Sequence, residues 1–169
     1  MADDLRRHTI CALVDNEPGV LARVIGLFSG RGYNIESLTV AEVDRERRLS
    51  RINIVATGTE QVIEQIKALL AKLVPVHRVQ DLTVEGAHVA RELALVKVTG
   101  DRQRLIDALR IAETMDVRAV DRSPESFVFE VTGTSDDLDA FIRLVEPEEV
   151  SRAGVVALGR GKIVLSPRS

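Results

Sequence analysis

The turn at residues 15–21, DNEPGVL, is the part of the sequence best suited to bind a small anion. A predicted strand leads into it and a predicted helix follows. The backbone N–H groups of Gly19, Val20 and Leu21 therefore fall in the first helical turn, where they lack intrahelical acceptors and attract a carboxylate. Gly19 has no side chain to block that approach, and Asn16 can either cap the helix or face the same ligand. An ordinary cap with water on its amides is the competing interpretation.

A second candidate for ligand binding is Asn34, which begins the strand after the first predicted helix together with Tyr33 and Ile35. In the fold predicted below, an adjacent subunit can bring Asn34 toward a neighbour's turn. The alternative is that Asn34 only tolerates an unusual backbone angle after Gly32. On the residues alone, both interpretations stay open.

The residues that common catalytic sites need are missing. The three histidines have no metal-ligand spacing, and the only cysteine, Cys11, lies within a strand pattern, which argues against zinc and Cys-His catalysis. The segment GRGK at residues 159–162 fails the phosphate-loop motif, because Val156 and Ile163 occupy positions that require Gly and Ser or Thr. Ser29 fails the nucleophile-elbow pattern. We therefore expect no catalytic residues and no metal or cofactor in this chain.

Four arginines form a basic patch in or beside a predicted hairpin turn: Arg45, Arg47, Arg48 and Arg51. The same turn holds Asp44 and Glu46, so a solvated turn that protects the sheet edge is favoured over a phosphate site. We interpret the patch as part of the turn.

Composition and charge restrict the class of protein. Of the 169 residues, 45% are apolar and 29% are charged, a balance that can bury a core in one domain or two small ones. The net charge of −3 and the aromatic content of 3% provide neither the positive field nor the stacking surfaces of a nucleic-acid-binding protein. A single cysteine, no apolar leader and no long apolar run predict a cytoplasmic protein without a membrane segment.

Residues 8–84 contain six predicted elements in the order β-α-β-β-α-β. This order predicts an antiparallel four-stranded sheet with both helices on one face, a ferredoxin-like unit. The predicted strands are residues 8–14, 33–43, 49–57 and 74–84. The first helix has its apolar stripe at Leu21, Val24, Ile25 and Phe28, and the second covers residues 60–73.

The rest of the chain repeats this order in a second, smaller unit. A linker at residues 85–90 separates the units, which places the domains at residues 1–84 and 91–169. The predicted fold class is therefore α+β, with two ferredoxin-like βαββαβ units. The predicted elements of the second unit are strands at residues 91–99, 117–120, 126–131 and 153–161 and helices at residues 102–112 and 138–145.

Three strand-to-helix junctions share one local pattern, in the segments VATGTE, KVTGDR and EVTGTS. In each, a glycine is followed by Thr, Asp or Ser, residues that cap a helix N-terminus. A duplication of the unit and shared capping chemistry explain this pattern equally well.

The segment DNEPGVLARVIGLFSGRGYNIESLTVAEVD, followed by LSRINIVATG, closely resembles the ACT domain of the acetohydroxyacid synthase small (regulatory) subunit. The Pro-Gly turn and the later Asn-Ile pair are general to ACT domains, whereas RGYNIESLTV is much more specific. The resemblance continues through GAHVARELALVKV and GTSDDLDAFIRL to EVSRAGVVALGRG. It therefore covers nearly the whole chain.

The resemblance implies a non-catalytic regulatory subunit in branched-chain amino acid biosynthesis. Its ACT domain would pair with a second copy in a homodimer and bind a branched-chain amino acid, in the first place valine. It would associate with a large catalytic subunit that carries thiamine diphosphate, magnesium and FAD, raise the activity of that subunit and confer feedback inhibition. This chain itself would carry no cofactor.

By matching the motif, the resemblance places the effector site between two chains. One chain contributes Asn16, Gly19, Val20 and Leu21, with Val14 lining the site, and the second copy contributes Asn34 and Ile35. Arg23, Arg48 and Arg51 are candidate contacts with the catalytic subunit, with a solvated face as the competing interpretation.

Two rival functions are considered. A stand-alone ACT amino-acid sensor that acts on another enzyme or regulator would need no large subunit, so co-purification discriminates it. An enzyme in its own right is disfavoured by the missing nucleophile, metal ligands and cofactor motif.

Overall fold

The structure is a computed structural model that describes residues 4–162 and 164–167. The chain forms two compact units. The first runs to Val89 and takes in the chain again from Val155, and the second is Ala90–Gly154. Each unit combines two helices with an antiparallel sheet, so the predicted α+β class with two ferredoxin-like units is confirmed.

The first unit has the predicted order β-α-β-β-α-β. Its elements are β1 (Arg6–Asp15), α1 (Val20–Ser29), β2 (Ile35–Asp44), β3 (Leu49–Gly58), α2 (Glu60–Ala71) and β4 (Val76–Asp81). The strand order across the sheet is β2-β3-β1-β4, and all neighbouring strands are antiparallel. Strand β2 is therefore one edge of this sheet.

Strand β1 is buried on both faces, because the two helices cover one face and the segment that contains Ala157 lies against Cys11 on the other, with 4.0 Å between Cys11 Sγ and the Ala157 carbonyl. Ile10, Ala12 and Val14 belong to the core that the strands share with α1 and α2. Cys11 and Leu13 alternate with them and are also buried, at 0% and 4% exposed. A strand covered on both faces reads as a continuous apolar run, as this segment does.

The apolar stripe of α1 differs from the predicted one. The buried residues of this helix are Val20, Val24 and Phe28. The predicted stripe is therefore confirmed at Val24 and Phe28, whereas Leu21 is 38% exposed and Ile25 is only partly buried. Both stripes fit the helical period, and only the packing of α1 against the sheet selects between them.

The three predicted helix caps are confirmed. Thr59, Asp101 and Thr134 are the N-caps of the helices that follow them, and each side chain accepts a hydrogen bond from a backbone N–H in the first turn, at 3.3, 2.9 and 3.2 Å. In the third cap Asp137 also accepts a bond from the Thr134 N–H, at 2.8 Å. Hydrogen bonds from Thr134 hold the pKa of the Asp137 carboxyl below its usual value.

The second unit repeats the architecture. Its elements are β5 (His88–Thr99), α3 (Arg102–Thr114), β6 (Arg118–Arg122), β7 (Ser126–Gly133), α4 (Ser135–Val145) and β8 (Glu149–Arg152). The strand order β6-β7-β5-β8 corresponds to that of the first sheet. Phe129 and Phe141 meet edge to face in its core, with ring centroids 5.6 Å apart.

The sequence did not predict the strand at the end of α4. It predicted a strand at residues 153–161, and β9 (Val156–Gly159) lies within that range. The additional strand β8 (Glu149–Arg152) comes before it and pairs with β5 from Ala94 to Lys97. All four residues of β8 are exposed and its sequence is EVSR, so it carries no alternating apolar pattern. Only pairing with β5 identifies it as a strand.

Strand β9 (Val156–Gly159) groups with the first unit, whereas the predicted second domain extended to residue 169. Ser37 accepts a hydrogen bond at its Oγ from the Val155 N–H, at 2.7 Å, and Arg160 N–H donates to the Ala87 carbonyl at 2.8 Å. These long-range bonds cannot be read from local sequence.

An ion pair between the buried carboxylate of Glu92 and the partly exposed Arg152 joins β5 to β8 in the second unit. Arg152 donates from Nε and Nη2 to the two carboxylate oxygens of Glu92, both at 2.8 Å, and Ser135 Oγ donates to the same carboxylate at 3.0 Å. The Glu92 side chain is 5% exposed. The bonds from Arg152 lower the pKa of Glu92 from its ordinary value of 4.5.

We expect Glu92→Gln to lower the free energy of unfolding by about 1–3 kcal/mol at pH 7, because two charge-assisted hydrogen bonds are weakened in a buried site. The pKa of Glu92 is lowered by folding, so its stabilisation is present above pH 4.5 and is lost as the pH falls through the lower, folded pKa. Urea denaturation of both proteins at pH 7 and under acid conditions measures this difference.

The control is Glu130→Gln, which breaks an exposed pair with Arg118 and should change stability by less than about 1 kcal/mol. If both substitutions change the free energy of unfolding by the same amount at pH 7, Glu92 does not stabilise the fold more than an exposed ion pair does.

Candidate functional site

The turn between β1 and α1 is built around Gly19. Gly19 is the N-cap of α1, with φ 85° and ψ −7°, and no side chain caps this helix. The left-handed conformation favours glycine. Nothing lies within 4 Å of the position that a Cβ on Gly19 would occupy, so the turn opens to free space.

Backbone donors at this turn face that space. Among the residues that the structure describes, the Gly19 and Leu21 N–H groups have no acceptor, and Val20 N–H reaches the Glu17 carbonyl only at 3.4 Å. Unpaired N–H groups at the positive end of a helix form a carboxylate site. The structure thus brings Gly19, Val20 and Leu21 together in the arrangement expected from sequence.

Asn16 does not cap the helix. Its backbone N–H donates to the Arg48 carbonyl at 2.7 Å, and its side-chain Nδ2 donates to Glu42 Oε2 at 2.6 Å. Asn16 therefore ties the turn to the β2–β3 hairpin. Its Oδ1 has no donor in the described part of the chain, so it can accept a hydrogen bond from an ammonium group.

Two residues beside this turn were missed by sequence reasoning, Glu42 and His77. His77 Nε2 and Asp15 Oδ1 are 2.7 Å apart at the start of the turn. Glu42 lies across the sheet from Val14, because both residues pair with Ser50 of β3. A prediction of the register between β1, β3 and β2 could have identified Glu42 as a neighbour of the turn. No local sequence pattern indicates that His77 contacts the turn.

The apolar residues assigned to the effector site lie in or against the core. Val14 and Val20 are 2% and 5% exposed and belong to the core cluster, and Ile35 packs against it from the edge strand. Within one chain these side chains therefore offer little free surface to a ligand. Val14 and Val20 therefore pack in the core next to the turn.

Asn34 and Ile35 lie far from the turn within one chain. Ile35 pairs with Ala56, which pairs with His8, whereas the other end of β2 pairs with Leu49 next to Asp15. The two ends of this strand are roughly 30 Å apart at about 3.3 Å per residue. The residues predicted for the effector site therefore fall into two separate groups, one at each end of the sheet.

The three arginines assigned to partner contact differ in their surroundings. Arg23 on α1 and Arg48 in the hairpin turn are exposed. Arg51 is partly buried and donates from Nη2 to the Ala157 carbonyl at 2.7 Å and from Nε to Asn53 Oδ1 at 3.3 Å. Its guanidinium is therefore engaged within the first unit.

The described residues contain no group of three or more His, Cys, Asp or Glu side chains that could hold a metal ion. The thiol of Cys11 is buried and its Sγ donates to Asn53 Oδ1 at 3.2 Å. Burial raises the pKa of this thiol, which suits a core residue. In the same part of the chain, no helix has the length and apolar character needed to span a membrane.

Two family models match the chain. "AHAS small subunit-like ACT domain" matches residues 10–78, and "Small subunit of acetolactate synthase" matches residues 91–161. The chain belongs to the acetolactate synthase small-subunit family. The predicted family is thereby confirmed, since acetolactate synthase and acetohydroxyacid synthase are two names of one enzyme. Members of this family are regulatory subunits, and the catalytic activity lies in the large subunit.

Individual relatives agree with this assignment. The acetolactate synthase isozyme 3 small subunit of Salmonella typhimurium is 45% identical over 163 residues, which cover 94% of this chain and 99% of the relative. A probable acetolactate synthase small subunit of Archaeoglobus fulgidus is 43% identical, over 92% of this chain and 98% of its own. The crystal structure of the Thermotoga maritima small subunit matches with a TM-score of 0.81 at 36% identity, covering 94% of this chain and 99% of that one.

We expect Gly19→Ala to lower the free energy of unfolding by about 1 kcal/mol, because a Cβ is disfavoured at a φ of 85°. The matched control is Gly26→Ala within α1, where the added methyl also meets open space. This control should raise stability by about 0.5–1 kcal/mol, since alanine is the better helix former. Urea denaturation of both variants measures the contrast, and a neutral Gly19→Ala would contradict the strained turn.

Proposed function

We propose that this regulatory subunit binds a branched-chain α-amino acid, in the first place valine, between two paired ACT domains. Through that site it confers feedback inhibition on the large catalytic subunit, which it also activates. The observation that carries the proposal is the separation of the half-sites, one at the Gly19 turn and one at Asn34, at opposite ends of edge strand β2.

Edge strand β2 supports pairing with a second copy. It carries the exposed apolar residues Val40 and Val43, at 43% and 56% exposed, and exposed edges with such residues favour strand pairing. If two β2 strands pair antiparallel about a two-fold axis between residues 39 and 40, residue 35 of one copy lies opposite residue 44 of the other. Asn34 of the second copy then reaches the end of the hairpin where Glu42 holds Asn16.

A zwitterionic amino acid fits the groups collected there. Its carboxylate meets the N–H groups of Gly19 to Leu21, each charge-assisted bond contributing about 1.5–3 kcal/mol. Its ammonium group meets the amide oxygens of Asn16 and of Asn34 in the second copy, beside the Glu42 carboxylate. An isopropyl group packed against Leu21, which is 38% exposed, and against Ile35 of the second copy adds about 1.5–3 kcal/mol.

These contributions are offset by the cost of immobilising the ligand, so micromolar to millimolar affinity is expected. A site shared by two chains also makes ligand occupancy depend on how the two copies pair. A coupling of about 1–3 kcal/mol between this pairing and the activity of the large subunit gives roughly 5- to 150-fold control.

The large subunit supplies the chemistry in this proposal. The proposal assigns thiamine diphosphate, magnesium and FAD to the large subunit and no cofactor to this chain; the support is that this family is the non-catalytic one. Arg23 and Arg48 are proposed contacts with the large subunit, since both are exposed. For Arg51 to take part, its guanidinium would have to leave the Ala157 carbonyl.

The first test mixes the purified chain with the large subunit of the same organism and assays acetolactate formation with and without valine. We expect stimulation that valine reverses. Gly19→Asp places a fixed carboxylate where the effector carboxylate binds, so inhibition should vanish while stimulation survives. The control is Gly161→Asp, which adds the same charge at another left-handed glycine with open space and should keep wild-type inhibition.

Inhibition of the Gly19→Asp complex at wild-type strength would eliminate this turn as the effector site. Absent stimulation, together with valine binding to the chain alone, would instead support a stand-alone amino-acid sensor.

We expect Asn34→Ala to weaken valine binding by about tenfold or more, because the ammonium group loses a buried acceptor. Isothermal titration calorimetry on the full chain measures this affinity. Unchanged affinity would leave Asn34 with a purely structural role in the turn before β2.

Mixed dimers test whether the site is shared. When Gly19→Asp and Asn34→Ala chains are unfolded together and refolded, each mixed dimer has one doubly altered site and one intact site. About a quarter of the wild-type number of valine sites should therefore return. Recovery of no sites would mean that both residues act within one chain.

A further inference from the structure

The side chain of Asn16 is held away from the helix that follows it. An asparagine close to a helix N-terminus ordinarily turns its amide oxygen toward the first N–H groups of that helix. In this chain no side chain caps α1, and Asn16 Nδ2 donates instead to Glu42 Oε2 at 2.6 Å. The hairpin residue Glu42 therefore decides where the Asn16 amide lies.

The backbone around Asn16 is fixed as well. The Asn16 N–H donates to the Arg48 carbonyl at 2.7 Å, and the Asn16 carbonyl lies 3.5 Å from Arg48 Nη2. The N–H of Asp15 donates to the Pro75 carbonyl at 2.8 Å. Rotation about its side-chain bonds is therefore the main freedom that the backbone leaves to Asn16.

The contact with Glu42 allows only one orientation of the Asn16 amide. A carboxylate at pH 7 accepts hydrogen bonds and cannot donate one, so the NH2 end of the amide must face it. The oxygen end then points away from Glu42, and no donor among the described residues reaches Asn16 Oδ1. Asn16 is thus left with an available acceptor.

Glu42 is itself positioned and accessible. It pairs with Ser50 in the register of β2 and β3, and its Oε1 lies 3.4 Å from Arg45 Nε. The Glu42 side chain is 34% exposed, and Asn16 is partly exposed. A ligand in solution can therefore approach the Asn16 amide.

A fixed acceptor at this place distinguishes ligands by the group on their α-carbon. An ammonium group donates a charge-assisted hydrogen bond to an amide oxygen. The ketone oxygen of an α-keto acid only accepts, so it would face a second acceptor at Asn16 Oδ1. If the amide were reversed, its NH2 end would suit the ketone instead. The orientation of this one amide therefore decides which of the two ligand classes is favoured.

We propose that Glu42 is a positioning residue of the effector site. By fixing the Asn16 amide with its oxygen free, Glu42 makes the site select α-amino acids over α-keto acids of the same carbon skeleton. This inference rests on the proposed function. Glu42 acts through Asn16, so its effect depends on the presence of that side chain.

Calorimetry on the full chain tests this selection with two ligands, valine and 3-methyl-2-oxobutanoate, which carries a ketone in place of the ammonium group. We expect the wild-type chain to bind valine at least about tenfold more tightly than the keto acid. Glu42→Gln keeps the side-chain length but offers both a donor and an acceptor, so the Asn16 amide can take either orientation. Valine binding should weaken by about threefold or more, whereas keto-acid binding should not weaken.

Glu46→Gln is the matched control for charge. Glu46 lies in the same hairpin turn, is exposed, and its side chain has no partner in the described part of the chain. This substitution should leave both affinities unchanged. If it weakens valine binding as much as Glu42→Gln does, the charge of the hairpin and not the contact with Asn16 is responsible, which would overturn the inference.

A double-mutant cycle tests whether Glu42 acts through Asn16. Asn16→Ala should weaken valine binding, and adding Glu42→Gln to it should have no further effect, because the amide to be oriented is gone. Independent, additive effects of the two substitutions would overturn the positioning role. Equal weakening of both ligands by Glu42→Gln would also overturn it, since a loosened turn affects every carboxylate ligand alike.

The outcomes separate this inference from the proposed function. A wild-type chain that binds valine with an affinity that Glu42→Gln leaves unchanged would overturn the role of Glu42 alone. A wild-type chain that binds no valine would overturn the proposed function and this inference with it.

Discussion

The antiparallel pairing of β1 with β3 is the interaction on which the first unit depends. It runs without a break from Arg6 opposite Gly58 to Asp15 opposite Leu49. Because β1 is central, this ladder fixes the positions of both neighbouring strands and both helices. It also places an open helix N-terminus at each end of the sheet, that of α1 beyond Asp15 and that of α2 beside His8.

The two helix N-termini differ in how they are capped, and this difference has chemical consequences. α1 begins at a left-handed glycine without a side-chain cap, which leaves its first N–H groups open to a ligand. α2 begins at Thr59, whose side chain occupies the Val62 N–H and leaves only two donors free. In this non-catalytic subunit, the groups available to a ligand at these two ends are therefore backbone N–H donors, and the sheet determines their positions.

In the proposed dimer, the two copies pair through edge strand β2. The Gly19 turn lies near one end of this strand and Asn34 precedes the other end, so a single chain would not complete the proposed effector site. A ligand held between two copies is sensitive to their relative position, which is the property that feedback control requires. The hydrogen bond from Asn16 to Glu42 fastens the turn to the end of this same strand.

The sequence by itself determined the order of elements, the helix caps at Thr59, Asp101 and Thr134, the Gly19 turn and the family, because these are encoded in contiguous residues and local backbone preferences. Tertiary structure alone decided which stripe of α1 is buried, that the exposed segment EVSR forms β8, and that β9 groups with the first unit. It also decided that Asn16 meets Glu42 and that Nε2 of His8 stays unpaired. Each of these depends on strand register or on contacts between distant residues, which no local pattern encodes.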